Sequence, residues 1–225
     1  MSWFTDTMQS SIGKKWVMAL TGLFLITFLI VHLIGNLQLL KTEGDAFNIY
    51  AAFMTTNPLI KTTSYLLYAS ILIHAIYGLW LTQLNRKARP IRYAVTNPGA
   101  NSTWSSRNMG ILGTIILLFI VIHMRSFWYT MHFGEIGKVM IDGQEYKDLY
   151  TVTKTAFASE GYVLFYVIAM AAIAFHLVHG FQSAFQTMGW NHPKYSPVVK
   201  AAGLGIAIII PALFAFIPVY MLLNK

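Results

Sequence analysis

Five long apolar runs constrain this chain more than any other feature. They cover roughly Trp16 to Leu40, Thr62 to Leu84, Asn108 to Met131, Gly161 to Gln186 and Val199 to Leu222. A helix needs about 20 largely apolar residues to cross the hydrocarbon core of a bilayer. An open sheet is excluded there, because its unpaired backbone groups would face lipid. The expected architecture is an all-α integral membrane protein, a single unit over residues 1–225 built as a bundle of five transmembrane helices. Composition agrees, with 11% charged residues against about 25% in an ordinary soluble domain. The polar segment from Met1 to Gly13 lacks a signal-peptide layout, so the first run is read as a mature span. The chain has no cysteine, which removes disulfides, iron–sulfur ligation and zinc–thiolate sites within it.

The loops set an expected orientation. One side collects Lys14, Lys15, Arg86, Lys87, Arg89, Arg92, Arg107, Lys194 and Lys200, against Asp6 alone. The other carries Lys41, Lys61, Lys138, Lys147, Lys154 and Lys225, with Glu43, Asp45, Glu135, Asp142, Glu145, Asp148 and Glu160. The positive-inside rule then puts the N-terminus in the cytoplasm and the C-terminus outside. The same asymmetry accounts for the net charge of +8 without a nucleic-acid partner. In the first outer loop, residues 47–54 mix aromatic and polar faces, as a short interfacial helix does. Asp142-Gly143 marks a turn in the second. Trp104, Trp128, Tyr129, Trp190 and Tyr195 fall near span ends, as an aromatic belt would. The fifth span carries Pro211 and Pro218 and no histidine; it is expected to bend and to serve packing.

His32, His74, His123 and His176 lie inside four different spans, and His179 follows one turn after His176. Ionisable groups within spans are costly and are usually functional. Any one alone is equally well read as a structural histidine bonded to a neighbouring helix. At about 1.5 Å per residue, His32 and His123 sit about 22–24 Å from the cytoplasmic end of their helices, and His74 and His176 about 18–22 Å from the outer end. Two pairs at two depths result: His32 with His123 toward the outer leaflet, His74 with His176 toward the inner. Glycines repeat the sorting. Gly22 and Gly113 each precede a histidine of the outer pair by ten residues, and Gly78 and Gly180 each follow one of the inner pair by four. A glycine beside a ligand lets a flat macrocycle approach the backbone, although helix packing uses glycine as well. Two imidazoles without a thiolate or carboxylate leave a zinc or copper site incomplete. They complete the octahedron of a haem iron, whose porphyrin supplies four nitrogens. Two haem b groups at two depths would form an electron path across the bilayer. No Asp or Glu lies within the interior of any span, which argues against a carboxylate proton relay.

The residues that carry this pattern are Thr21-Gly22-Leu23-Phe24 leading to His32-Leu33-Ile34-Gly35-Asn36, then Ile73-His74-Ala75, Ile122-His123-Met124, and Phe175-His176-Leu177-Val178-His179-Gly180 continuing to Gly189-Trp190. As an ordered set they resemble the single-polypeptide, five-helix diheme cytochrome b anchor of succinate dehydrogenase and fumarate reductase. The resemblance covers most of the chain. It implies a membrane subunit that binds a flavoprotein and an iron–sulfur subunit on the cytoplasmic face of the bacterial cytoplasmic membrane. It implies electron transfer to or from a quinone, of the menaquinone type, with the succinate or fumarate chemistry on another chain. It also implies the same pairing, His32 with His123 and His74 with His176. His179 stays open as the alternative fourth ligand. Some fumarate reductases of the family carry a glutamate two residues before that ligand; Ala174 stands there in this sequence.

Arg125, near the outer end of the third span, is a candidate partner for haem propionates or a quinone oxygen; snorkelling to headgroups is the other reading. His179, Gln182, Ser183 and Gln186 bring polar groups to the inner end of the fourth span, for propionates, for a quinone head, or as ordinary interfacial polarity. Lys14, Lys15, Arg86, Lys87 and Arg89 suit an acidic soluble partner, or topology alone. Two other functions stay in view: a diheme cytochrome b of another quinone-linked complex, such as a hydrogenase or formate dehydrogenase, and a non-haem transporter or structural membrane protein.

Overall fold

The computed structural model describes residues 2–41, 43–88 and 97–224. Arg89 and Arg92 of the basic cluster lie outside them. The chain is mostly helical. A short α1 (Trp3–Gln9) precedes α2 (Ser11–Asn36), which ends in a 3-10 turn, Leu37–Leu40. Next come α3 (Asp45–Thr56), α4 (Pro58–Lys87) and the one-turn helices α5 (Pro98–Asn101) and α6 (Trp104–Arg107). The third span joins α7 (Met109–His123), a π-helical stretch over Met124–Tyr129 and α8 (Thr130–Phe133). Strands β1 (Lys138–Ile141) and β2 (Gln144–Lys147), then α9 (Leu149–Phe157), α10 (Glu160–Thr187) and α11 (Ser196–Leu223), complete the chain. Five of these segments are long and apolar enough to cross a membrane, within a few residues of the five apolar runs.

Local chemistry sets the ends. Ser10 caps α2 by accepting from the Gly13 amide, and Asn57 caps α4 by accepting from Leu59 and Ile60, with Pro58 as the first helical residue. These side chains satisfy amides that a helix N-terminus leaves without partners. Helix α10 stops in a Schellman motif: Gly189 takes φ 77, its amide bonds to the Gln186 carbonyl, and the Trp190 amide bonds to that of Phe185. The Trp190 ring packs 5.6 Å from the Phe185 ring, the apolar contact that accompanies this motif. Gly189-Trp190 thus terminates a helix, and Trp190 is more than an interfacial aromatic.

Helix α2 packs against α4 and α10, and so does α7. The four form a ring, with α2 diagonal to α7 and α4 diagonal to α10. Helix α11 lies outside the ring, on α10 and α2, and runs through Pro211 and Pro218, both buried. The best-packed region is the seam of α10 and α11, where Ala169, Met170, Ile210 and Ile217 are buried together. By contrast, α4 buries only Ser70 in 30 residues. Large apolar side chains such as Leu72, Ile76, Leu118 and Val121 are exposed, far more than a water-soluble surface carries.

One expectation needs correcting: the fold is not purely α. In the loop between the third and fourth spans, β1 and β2 pair antiparallel, with Ile141 opposite Gln144. Asp142 (φ 49) and Gly143 (φ 79) form the connection, the positive-φ pair that a two-residue hairpin requires. The Asp-Gly turn was legible; the strands around it are only four residues each and left no periodic signal. The segment 47–54 is helical, as expected, within α3. Its Asn48, 3% exposed, donates to the Asp148 carboxylate at 3.2 Å and accepts from the Tyr150 amide at 2.9 Å, which locks α3 to the start of α9.

Candidate functional site

The two diagonals of the ring are where the histidines meet. His32 on α2 faces His123 on α7, with ring centroids 5.9 Å apart. His74 on α4 faces His176 on α10 at 6.2 Å. At ordinary metal–nitrogen bond lengths of about 2 Å, two imidazoles on opposite sides of one metal have ring centres about 6 Å apart. Both pairs have the separation that one metal ion held between them requires. Among the described residues no group of three or more His, Asp or Glu side chains converges, and each level brings two histidines together.

Three helices independently measure the separation of the levels. The inner pair touches α2 at Thr21 and Gly22, eleven residues before His32. Gly113 stands beside His176, ten residues before His123. On α10 the outer level is marked by Tyr166, ten residues before His176. At 1.5 Å per residue the spacings correspond to about 15–17 Å along the bundle. Helices α2, α7 and α10 thus each carry a histidine at one level and touch a histidine at the other.

Hydrogen bonds hold one ring of each pair. His74 Nδ1 lies 3.0 Å from the Thr21 hydroxyl, and His123 Nδ1 lies 2.9 Å from the Tyr166 hydroxyl. Either bond leaves Nε2 as the nitrogen facing no such partner, the arrangement seen when a neighbouring hydrogen-bonding group orients a metal-bound imidazole. Tyr166 continues to Tyr162, 3.3 Å away. The partner rings are held less firmly. Asn36 donates mainly to the His32 carbonyl, at 2.8 Å, and approaches the His32 ring only at 3.3 Å. His176 Nδ1 is buried with no hydrogen-bond partner, a condition that costs about 1–3 kcal/mol when nothing offsets it.

The two levels differ in their walls. Around the outer pair, Phe28 stacks on His32 (5.1 Å), Phe214 of α11 approaches it (5.5 Å), and Phe119 and Phe127 flank His123 (5.6 and 5.3 Å). The fifth span was expected to serve packing rather than chemistry, and its Phe214 packs on His32 within this aromatic box. Around the inner pair the notable neighbours are glycines. A Cβ placed on Gly22 would lie 3.3 Å from His74 Cε1, and one on Gly113 would lie 4.0 Å from His176 Cε1. These two glycines were paired by spacing with His32 and His123; the structure sets them beside the other pair, because ten residues are nearly three turns. Gly78 faces Met18, and around Gly180 there is open space.

The remaining candidates are placed apart from the rings. Arg125 is exposed and sits over the Tyr129 ring at 4.5 Å. Gln182 and Ser183 are half-buried and Gln186 is exposed. His179 is half-buried one turn beyond His176, without a ring contact to another histidine. At the N-terminal end of α2 Lys14 lies 4.6 Å over the Trp80 ring. At the opposite end of the bundle the Trp128 indole donates to Tyr68 at 2.8 Å, joining the π-helical stretch to α4. Sequence reasoning quoted Thr21 within a motif without giving it a role, and passed over Tyr162 and Tyr166. The available signal was weak: a hydroxyl directly before Gly22, and two tyrosines one turn apart, ten residues before His176. Comparison of the chain with protein-family models, curated proteins and solved structures finds no match.

Proposed function

We propose that this chain is the diheme cytochrome b anchor of a succinate:quinone oxidoreductase, carrying electrons between an iron–sulfur subunit and membrane quinone. One observation carries the reading: four span histidines pair across both diagonals of one helix ring, at 5.9 and 6.2 Å. The donor set suits haem b, because two imidazoles per level leave four positions for a porphyrin. His32 and His123 would hold the outer haem, His74 and His176 the inner. A bound haem b supplies reversible one-electron chemistry at each level. The chain's own residues fix the imidazoles, through Thr21 and Tyr166, and keep water from the outer level with Phe28, Phe119, Phe127 and Phe214. Gly22 and Gly113 keep the inner level free of side chains where a flat ring must fit. Each of the four histidines would give an imidazole to haem iron, and a haem held by two of them would carry electrons rather than bind oxygen.

In this reading the flavoprotein and iron–sulfur subunits dock on the cytoplasmic face of a bacterial cytoplasmic membrane, and the succinate or fumarate chemistry belongs to the flavoprotein. Arg125 at the outer end and His179, Gln182, Ser183 and Gln186 at the inner end are the polar groups available to propionates or to a menaquinone head. The test is purification of the complex with a haem assay per chain and a reduced-minus-oxidised spectrum. Two haems b with a co-purifying flavoprotein support the proposal. A colourless protein would favour a transporter or structural role, and a haem protein that brings down a hydrogenase or formate dehydrogenase would place the chain in another complex.

A further inference from the structure

We infer that Thr21 is a positioning residue of the inner haem, holding His74 in the tautomer whose Nε2 lone pair binds iron; the inference rests on the haem reading above. A threonine hydroxyl has one proton and two lone pairs. The Thr21 hydroxyl lies 2.7 Å from the Val17 carbonyl, one turn back on α2. A carbonyl can only accept, so the hydroxyl proton is committed there. The 3.0 Å contact between Thr21 Oγ1 and His74 Nδ1 must then carry the ring's proton. His74 is Nδ1-protonated, and Nε2 is left unprotonated.

The outer level lacks this certainty of direction, since Tyr166 and Tyr162 can each donate to the other. The other inner ring, His176, has no partner at Nδ1. Among the described residues, Thr21 is therefore the group that fixes a donor proton at the inner level. An acceptor on Nδ1–H makes an imidazole a stronger electron donor, which stabilises ferric iron and lowers the reduction potential, one of the levers a protein holds over haem. Thr21 stands on the helix that supplies a ligand to the outer haem, so one helix orients both levels.

The experiment is redox titration of haem absorbance in the membrane-bound complex, comparing wild type, Thr21→Val, Thr21→Ser and Tyr166→Phe. Thr21→Val keeps the shape and removes the acceptor. It should move one haem midpoint to more positive potential, and that component should be the one missing from a His176→Ala complex. Thr21→Ser should titrate like wild type, and Tyr166→Phe, about 15 Å away along the bundle, should leave that component in place. Loss of the inner haem in Thr21→Val but not in Thr21→Ser would also support the inference. Unchanged midpoints in Thr21→Val, or equal effects of Val and Ser, would overturn it. A wild-type complex without haem would instead overturn the functional reading on which it stands.

Discussion

His176 and His179 stand one turn apart on α10, in different surroundings. His176 shares a ring contact with His74; His179 has none with any histidine. Substitution His176→Ala should halve the haem content of the purified chain, measured by pyridine haemochrome, while His179→Ala should leave it at the wild-type value. The reverse result would move the fourth ligand to His179. Gly22 gives a second measurement at this scale. Its Cβ would come within 3.3 Å of the His74 ring, so the larger Gly22→Val must displace an imidazole held by the adjacent Thr21. The inner haem should be lost and the outer one kept. These contacts were only partly legible in the sequence. The ligands stood out because a histidine is expensive in an apolar run. Thr21 did not, because a threonine whose hydroxyl bonds back to its own helix is ordinary in a span, and its contact with His74 spans 53 positions.

Among the elements, the transmembrane helices were legible because length and hydropathy decide them, and their caps follow short-range rules. The outer layer was not, since it depends on contacts far apart in the chain. Asn48 and Asp148 are 100 positions apart, and nothing in either segment announces the other. Burial pushes the Asp148 carboxyl up, but hydrogen bonds from Thr151 and Asn48 outweigh it and hold the group below its ordinary value. The attachment of α3 to α9 should therefore be fully present above the ordinary carboxylate range and be lost as pH falls through the depressed value. Asn48→Ala removes the buried side chain that serves both partners. It should destabilise the outer layer by about 1–3 kcal/mol, seen as faster hydrogen exchange in residues 45–56 and 149–157. Unchanged exchange would show that the apolar contacts of α3 suffice without the polar lock.

For the whole molecule, orientation is the quantity that the loops predict and a helix ring by itself does not encode. The chain lacks cysteine, so each single-cysteine variant reports its own position against a clean background. A membrane-impermeant maleimide added to intact spheroplasts should label Asn224→Cys and spare Ser2→Cys until the cells are opened. Equal labelling of both would contradict an odd number of crossings, and the opposite pattern would invert the protein and place the soluble partners elsewhere. The tight seam of α10 and α11, set against an α4 that buries a single serine, also suggests a stability that depends on what the ring encloses. If haem binds only the folded chain, mass action raises the melting temperature with haem supply. Expression under haem depletion should then yield a protein that melts earlier, with protection retained longest in α10 and α11.

The π-helical stretch after His123 can be described as arithmetic. A π turn within an α-helix amounts to one residue more than regular winding needs, so everything beyond Tyr129 is offset by about 100° from where an uninterrupted α-helix of 3.6 residues per turn would point it. Removing one surplus residue, such as Ser126, would restore uniform winding and keep Trp128 facing Tyr68, whereas regular α winding of the full sequence would swing Trp128 away from it. Such a deletion should leave both His123 and the far end of the helix seated, whereas substitutions that force α winding at full length should free that end and the hairpin that Lys147 ties to it.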